Sequence, residues 1–374
     1  MNRRPSQSRT GFDSFSPQHT AHFKAAQPGG EFFEPKPRAS LGRWLLLALL
    51  LMMLIALAVN LAVNQFVRVA RVTVPIRRMD SAFEGYTLLQ ISDLKGATYG
   101  SNQALIRFAL QNKDFDAVVF TGDMVSSRGN AQPLYALIEM LRELKPDAPI
   151  YMIPGDKDPL PASMSYATGG SPFAPWVLGA KQRGGQLLSA PVQIERDGHT
   201  LWLTTSALLS LDMDTMQAQF ERQYLDALAD GDENAIELTT YNLQWLTETR
   251  NARAKMTDAD VYIALTHVPP ADEELESAYP GSLRERVHLV LCGHYQGGLI
   301  RLPFAGALFI PSQNLPLYGL LPGADTYFGL TRKGRTYLYV SPGLGGNDGL
   351  YPLPFFRLFN PPTVSLISLT TSSL

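Results

Sequence analysis

The sequence predicts an α/β protein with a mainly parallel sheet in its first half and one apolar helix near the N-terminus. Strand-like apolar segments alternate with amphipathic helical segments from about Tyr86 onward, and this alternation is typical of parallel sheets with crossover helices. A cluster of Gly, Asp or His residues follows each of the main apolar segments. An uncharged run, Leu45–Val67, precedes the whole pattern and predicts the separate helix.

The composition excludes several classes of protein. The chain has 374 residues, of which 45% are hydrophobic and 18% charged, so it can bury a core and is not a disordered protein. The net charge of −2 argues against a nucleic-acid partner, which a broad basic surface would bind. The single cysteine, Cys292, excludes an intrachain disulfide and a thiolate zinc finger.

The N-terminal part predicts a tail and an anchor. Residues 1–43 are rich in Ser, Gln, Pro, Gly and Arg and predict a flexible tail. The apolar run that follows exceeds the roughly 20 residues that a helix needs to cross a bilayer, and Trp44 suits an interfacial anchor. We therefore predict a transmembrane helix over 44–67. The alternative is a cleaved signal peptide, since Ala56–Ala58 has the small-x-small form, but the long leading segment favours the uncleaved anchor.

The remaining boundaries follow from changes in composition. We predict a linker over 68–85 and a folded domain over 86–372, with a polar helical insertion at about 212–256. A chain that starts near Arg77 should then fold by itself. Basic residues are balanced on the two sides of the apolar run, so charge does not decide its orientation. By analogy with other singly anchored proteins, we expect a single-pass protein of the cell membrane with its domain outside the cytoplasm.

Within the domain, short apolar runs predict strands and apolar residues at helical spacing predict helices. The predicted helices are Ser101–Asn112 and Leu134–Leu144. The predicted strands are Tyr86–Ser92, Phe115–Thr121, Pro149–Ile153, Val261–Leu265, Val287–Leu291, Thr336–Val340 and Thr363–Ile367.

Potential metal ligands follow the strands of the first half and middle of the domain. In chain order they are Asp93, Asp123, Asp156, His267 and His294. Because ligands gather at the carboxyl ends of parallel strands, we expect these side chains to meet at one edge. Carboxylate oxygen and imidazole nitrogen are ligands of Mn, Fe and Zn sites. Each residue alone also has a plainer interpretation as a turn, cap or hydrogen-bonded loop residue, and His288, inside a strand, is interpreted as structural.

The order of these motifs resembles that of the calcineurin-like metallophosphoesterases. Their pattern is D-x-H, G-D, G-N-H-D, a single His and G-H-x-H-G-G, and its counterparts here are Asp93–Lys95, Gly122–Asp123, Gly155–Asp158, His267 and Gly293–Gly298. The chain is most similar to their membrane-anchored bacterial branch, which includes UDP-diacylglucosamine pyrophosphatase-like enzymes. The resemblance covers roughly Tyr86 to Leu369. It implies a sandwich of two β-sheets flanked by helices, with metals at one sheet edge.

The resemblance also implies two metal sites, one of them degenerate. The family forms the first site with the D-x-H pair and the last His of G-H-x-H, which here are Asp93, Lys95 and Gln296. A protonated lysine has no lone pair to offer, and a glutamine oxygen replaces imidazole poorly, so this site is expected to be lost or weak. The second site keeps a full ligand set, with Asp in place of the family's Asn: Asp123, Asp156, His267 and His294.

Two functions are compatible with this ligand set. The first is a membrane-anchored phosphoesterase that hydrolyses a phosphomonoester or phosphodiester with one divalent ion (Mn, Fe or Zn). Its catalytic residues would be Lys157, at the position of the family's leaving-group histidine, together with Lys95 and Asp158. The alternative is an inactive protein of the same fold that holds no metal and acts as a binding or scaffold module at the membrane, because the two lysines can balance the carboxylates. The expected partners are the membrane and a phosphate-containing lipid or small phosphoester.

Overall fold

The computed structural model describes residues 41–64, 66–126, 128–167, 171–276, 283–298, 300–302, 306–310, 319–323, 327–345 and 357–372. The helices are α1 Leu41–Val63, α2 Ala104–Leu110, α3 Gln132–Leu144, α4 Met164–Ala167, α5 Pro175–Gln182, α6 Ser206–Leu209, α7 Met213–Asp230, α8 Glu233–Lys255 and α9 Asp272–Glu276. The strands are β1 Arg68–Arg77, β2 Thr87–Ile91, β3 Ala117–Thr121, β4 Ile150–Ile153, β5 Gly185–Leu187, β6 Val192–Arg196, β7 His199–Thr205, β8 Val261–Leu265, β9 Leu289–Cys292, β10 Arg301–Leu302, β11 Gly306–Ala307, β12 Gly329–Lys333, β13 Thr336–Val340 and β14 Thr363–Ser372.

Two six-stranded sheets form the centre of the domain. The first has the order β1-β14-β2-β3-β4-β5 and the second has the order β12-β13-β9-β8-β7-β6. Strands β2 to β5 are mutually parallel, as are β7, β8, β9 and β13. Buried side chains of both sheets, such as Val119 and Ile263, form one shared apolar cluster between them. The predicted class, two sheets flanked by helices, is confirmed.

Helices cover the outer faces because their apolar residues lie on one side. In α3, Leu134, Leu137, Ile138 and Leu141 are buried at helical spacing and join the cluster on the outer face of the first sheet. The predicted helical insertion contains α7 and α8. Asp212 and Asp232 cap the N-termini of these two helices by accepting backbone N–H groups, and Gly231 ends α7 in the left-handed conformation, at φ 67°.

The predicted linker contains a strand of the first sheet, and this part of the prediction is wrong. Residues 68–77 form β1, which pairs in parallel with β14 along its whole length. Val74 and Ile76 of β1 are fully buried, so alternating side chains face the core. A chain that starts near Arg77 would lack this strand, and we therefore expect the sequence-based boundary for an independently folding chain to be too late.

Helix α1 begins and ends a few residues earlier than predicted. It spans Leu41–Val63, and by length and composition it is apolar enough to cross a membrane. Near its end, the side-chain amides of Asn60 and Asn64 both donate to the carbonyl of Arg357, at 2.7 and 2.6 Å. These contacts lie within the compact unit Leu54–Leu374 and fix the last turn of the helix to a segment near the C-terminus of the chain.

His288 is structural, as predicted. Its Nδ1 atom accepts the backbone N–H of Tyr262 at 3.1 Å, so Nδ1 carries no hydrogen and the imidazole ring is neutral. Burial lowers the pKa of His288 to about 4, and the positive charge of Arg335 contributes. The unfolded chain therefore takes up a proton before the folded chain does as the pH falls.

This difference predicts acid destabilisation that His288→Asn should reduce. The neutral ring contributes fully to the unfolding free energy at pH values above about 6.5, its pKa in the unfolded chain. This contribution is lost as the pH falls toward 4, its pKa in the folded chain. Between pH 7.5 and pH 5, we expect the unfolding free energy of the native chain to fall by about 2 kcal/mol more than that of His288→Asn. Asparagine can still accept the Tyr262 N–H. Urea unfolding at both pH values measures the difference, and equal losses in the two chains would contradict the assignment.

Candidate metal centre

The predicted ligands lie together at the carboxyl ends of the central strands. Asp93, Asp123 and Asp156 follow β2, β3 and β4 of the first sheet, and His267 and His294 follow β8 and β9 of the second. Among the described residues they form two overlapping groups that could hold a metal ion, Asp156–His267–His294 and Asp93–Asp123–His267, with ligand atoms within 4.8 Å of one another. The structure thus brings together all five side chains that are predicted to meet because each follows the end of a strand.

Glycines in the motifs leave the space that these side chains occupy. A Cβ atom at Gly155 would lie 2.1 Å from Oδ1 of Asp123. A Cβ atom at Gly122 would lie 2.6 Å from Nδ1 of His267, and Gly122 also has a φ of +91°. The Gly-Asp pairs are therefore needed for close packing of the ligands, beyond their role as turn signals.

The loops that carry the site have an unusual backbone. Asp93, Lys95, Asp123, His294 and Gln296 all have positive φ values, between 50° and 69°. Such values are strained for residues with side chains and cluster at functional sites. Together with the glycines, they turn successive side chains of each loop toward the same edge of the two sheets.

One group of donors has the spacing of a single-ion site. Nε2 of His267 lies 2.9 Å from Oδ1 of Asp156 and 3.4 Å from Oδ1 of Asp123. Nδ1 of His294 lies 3.3 Å from Oδ1 of Asp156 and 3.4 Å from Nε2 of His267. Metal–ligand bonds of about 2.1 Å, with ligand–metal–ligand angles near 90–110°, place neighbouring ligand atoms roughly 3.0–3.4 Å apart. These four residues fit one divalent ion in donor type and in spacing.

The orientation of His267 supports this assignment. Its Nδ1 atom lies 2.8 Å from the carbonyl oxygen of Thr121, which can only accept, so Nδ1 carries the hydrogen. Nε2 then faces the carboxylates, as in many sites where a second hydrogen bond orients a ligand histidine. Burial lowers the pKa of the His267 imidazole, but hydrogen bonds to Asp123 and Asp156 outweigh it and raise the pKa to about 11. In the absence of a metal ion the two carboxylates therefore favour the protonated imidazole, and a metal ion bound at Nε2 would have to replace that proton.

The carboxylates are held in the ionised form that a metal requires. Burial opposes ionisation of Asp123, but His267 and the nearby charge of Lys95 keep its pKa below the usual value. The hydrogen bond from His267 lowers the pKa of Asp156 strongly, and the charge of His294 contributes. Both side chains are anionic across the physiological pH range.

A lysine stands at the other site implied by the resemblance. Nζ of Lys95 lies 3.3 Å from Oδ2 of Asp123, and both side chains are buried. Oδ2 of Asp93 accepts the Ser92 hydroxyl at 2.6 Å and the His294 backbone N–H at 3.1 Å. In the described part of the chain, Oδ1 of Asp93 and Oε1 of Gln296 are buried without a hydrogen-bond partner. An ammonium group beside Asp123 does not fit a second divalent ion.

The other two expected catalytic residues differ in their contacts. Nζ of Lys157 lies 3.2 Å from Oδ2 of Asp156, and its side chain is about half exposed, so it can reach a bound substrate. Asp158 is buried, and its two oxygens accept the backbone N–H groups of Val125 at 2.7 Å and Gly155 at 2.8 Å. These contacts favour a positioning role for Asp158 over the catalytic role predicted for it, because the carboxylate holds the two ligand loops together.

Arg357, which is not among the predicted site residues, supports the site from behind. This fully buried guanidinium donates to backbone carbonyls of three loops, including those of Gln296 at 3.1 Å and Gly345 at 2.6 Å. The N–H of Gly345 in turn donates to the carbonyl of Asp93 at 2.6 Å. A charged residue inside an apolar C-terminal stretch was the available signal, since a buried arginine needs several acceptors.

Comparisons with known proteins identify a distant relative and similar solved structures. The chain is 25% identical over 278 residues to a Bacillus subtilis (strain 168) protein described as "Uncharacterized metallophosphoesterase YkuE", with 73% of this chain and 77% of that protein covered. The structure matches that of phosphopantetheinyl hydrolase PptH from Mycobacterium tuberculosis at 13% identity and a TM-score of 0.35, covering 70% of this chain and 91% of that one. A structure of TT1561 from Thermus thermophilus matches at 13% identity and a TM-score of 0.34, covering 70% and 90%.

The family comparison covers more than half of the chain and all five ligand positions. The family description "Calcineurin-like phosphoesterase" matches residues 86–296, a range that begins just before β2 and ends two residues after His294. The matched segment carries both sheets' central strands and the loops that form the candidate site. The chain therefore belongs to the calcineurin-like phosphoesterase family.

Proposed function

We propose that this protein is a phosphoesterase that works with one divalent ion, held by Asp123, Asp156, His267 and His294. The spacing of these donors, 2.9–3.4 Å between neighbouring ligand atoms, carries the proposal. The ligand types suit Mn, Fe or Zn. When bound, such an ion supplies Lewis-acid activation of a phosphoryl oxygen and of an attacking water.

The residues of the chain supply fixed positive charge around that ion. Lys95 neutralises Asp123 at the position where a second ion would lie in other members of the family. Lys157, whose backbone N–H also donates to Asp123 at 2.9 Å, places an ammonium group beside Asp156 at the mouth of the site. We infer that Lys157 stabilises charge on the phosphoryl group and on the leaving oxygen, as preorganised cations do in phosphoryl transfer.

We further propose that α1 anchors the protein in a membrane as a single span. Its length and hydropathy support this, and the sequence pattern resembles that of the membrane-anchored bacterial branch that includes UDP-diacylglucosamine pyrophosphatase-like enzymes. An anchored site favours a substrate at the membrane surface. A phosphate-containing lipid is therefore the substrate class that we propose first, with a small soluble phosphoester as the second.

One observation favours the alternative of an inactive binding module. The buried Lys95–Asp123 pair, at 3.3 Å, already compensates a carboxylate that in a two-metal site would bridge both ions. A site with this pair and a protonated His267 keeps its charges balanced without any metal. The alternative predicts a folded protein that binds no metal, and the two functions therefore differ in a measurable quantity.

Asp123→Asn and Asp93→Asn, compared in the full chain in detergent, test the metal assignment. We expect the native chain to bind one Mn²⁺, Asp123→Asn to lose at least about tenfold in affinity, and Asp93→Asn to lose much less. Asp123 belongs to the complete donor set, whereas Asp93 lies beside Lys95 and contacts Ser92 and His294. Calorimetric titration measures affinity and stoichiometry, and thermal unfolding controls for misfolding.

Hydrolysis of bis(p-nitrophenyl) phosphate by the same samples decides between the two functions. Metal-dependent hydrolysis that is lost in Asp123→Asn supports the enzyme. Equal loss of affinity in both variants would contradict the one-ion assignment, and a folded native chain that takes up no Mn²⁺, Fe²⁺ or Zn²⁺ would favour the binding module.

A further inference from the structure

A cavity of about 170 Å³ lies where the edges of the two sheets approach each other. Strand β1 is an edge of the first sheet and β12 is an edge of the second. Arg68, Ala70 and Val72 line the cavity from β1, as expected for residues at every second position, which share one face of a strand. Arg301 and Tyr339 contribute from β10 and β13. None of the proposed metal ligands is among the described residues that line the cavity.

Arg301 has a hydrogen-bond donor for which the described residues provide no acceptor. Its Nε atom donates to the carbonyl of Gly297 at 2.6 Å, and its guanidinium carbon lies 4.2 Å from the centre of the Phe328 ring. These contacts fix the orientation of the planar group. Its Nη2 atom is buried and has no hydrogen-bond partner among the described residues, and a buried unpaired donor is costly.

The charge of the cavity is positive. Its described lining contains Arg68 and Arg301 and no Asp or Glu. Burial lowers the pKa of Arg301, and the nearby charge of Arg68 lowers it further, although Tyr327 acts in the opposite direction. Two like charges that face one cavity repel each other, and a bound anion would remove both this repulsion and the unpaired donor.

Two exposed aromatic residues lie close in sequence to residues that line this cavity. Phe66, two residues before Arg68, is 68% exposed, and Phe359, next to the lining residue Asn360, is 42% exposed. The backbone N–H of Phe359 donates to Oδ1 of Asn60 in α1 at 2.8 Å. The cavity therefore lies beside the last turns of the apolar helix, where aromatic and basic residues contact lipid head groups in anchored proteins.

We propose that the cavity between β1 and β12 binds a phosphate-type anion through Arg68 and Arg301, and that its source is the head group of an anionic phospholipid. The volume is below the roughly 300 Å³ of sites that enclose a whole small molecule. It accommodates the phosphate of a head group, while the acyl chains stay outside, against Phe66 and Phe359. The site is separate from the metal centre and does not depend on phosphoesterase activity.

Lipid binding by the full chain in an uncharged detergent tests the proposal. The probes are dioleoyl phosphatidylglycerol, dioleoyl phosphatidylcholine and inorganic phosphate, with native mass spectrometry for the lipids and calorimetry for phosphate. We expect the native chain to bind phosphatidylglycerol about tenfold more tightly than phosphatidylcholine. The double variant Arg68→Gln, Arg301→Gln should lose this preference.

Arg71→Gln is the matched control, because Arg71 lies on the same strand at an odd spacing from Arg68 and does not line the cavity. It should keep the preference, and a loss equal to that of the double variant would overturn the proposal. Equal affinities for the two lipids in the native chain would also overturn the proposal if inorganic phosphate does not bind. If inorganic phosphate does bind, and its binding depends on Arg68 and Arg301, the result would support the anion site and overturn the lipid as its source.

Two further measurements keep these outcomes distinct from misfolding and from the metal site. Arg68→Gln alone changes an exposed residue, so it tests the cavity even where loss of the Arg301 contacts unfolds the chain. Mn²⁺ binding should be unchanged in all three arginine variants. A native chain that binds no metal but prefers phosphatidylglycerol would contradict the proposed phosphoesterase and support the anion site.

Discussion

The triple variant Lys95→His, Lys157→His, Gln296→His is expected to bind two Mn²⁺ per chain instead of one. Removal of Lys95 takes away the ammonium group 3.3 Å from Oδ2 of Asp123 and leaves Asp93 and Asp123 free to share a second ion with two new imidazoles. Two ions roughly 3.5–4 Å apart clamp both the attacking and the leaving oxygen in phosphoester hydrolysis. Calorimetry and metal analysis measure the stoichiometry.

The effect on activity separates the two proposed functions. An inactive native protein should gain Mn²⁺-dependent hydrolysis of an aryl phosphodiester, whereas a one-ion enzyme should change its stoichiometry and lose the contribution of its lysines. The single variants should do little, because the ligands of one site act together. Lys145→His, at a surface pair with Asp114, is the control. A folded triple variant that binds no additional ion would show that Lys95 and Gln296 do not occupy a metal position.

Removal of residues 1–77 is expected to prevent stable folding, whereas removal of residues 1–65 is not. The shorter chain loses β1, whose ten residues pair with β14, and loses the fully buried Val74 and Ile76. Burial of two such side chains contributes about 3–6 kcal/mol, a large share of the roughly 5–15 kcal/mol of a typical domain. β14 would also become an exposed edge strand.

Both truncated chains lack α1 and its Asn60 and Asn64 contacts, so the comparison isolates β1. Circular dichroism and thermal unfolding measure folding, and the chain that starts at Phe66 should unfold cooperatively. The proposal that β1 belongs to the domain would be wrong if the chain that starts at Arg78 unfolded within a few degrees of the longer one.

Local pattern predicted the central strands closely. Val261–Leu265 and Thr336–Val340 were predicted with the same bounds that β8 and β13 have, because each is an apolar run between polar turns. The same local criteria predict a linker where the edge strand β1 lies. Its alternation of Val72, Val74 and Ile76 with other residues is a strand signal, but its partner β14 lies at the opposite end of the chain, and local periodicity carries no information on such pairing.

The sequence by itself determined which ligand types follow which strands, and therefore that Asp93, Asp123, Asp156, His267 and His294 meet at one edge. Parallel strands impose this, since their carboxyl ends lie on the same side. Only the tertiary structure decided that Lys95 pairs with Asp123, that Asp158 holds two loops, and that Arg68 and Arg301 face one cavity. These contacts depend on side-chain direction and on residues far apart in the chain, which are set by the packing of one sheet on the other.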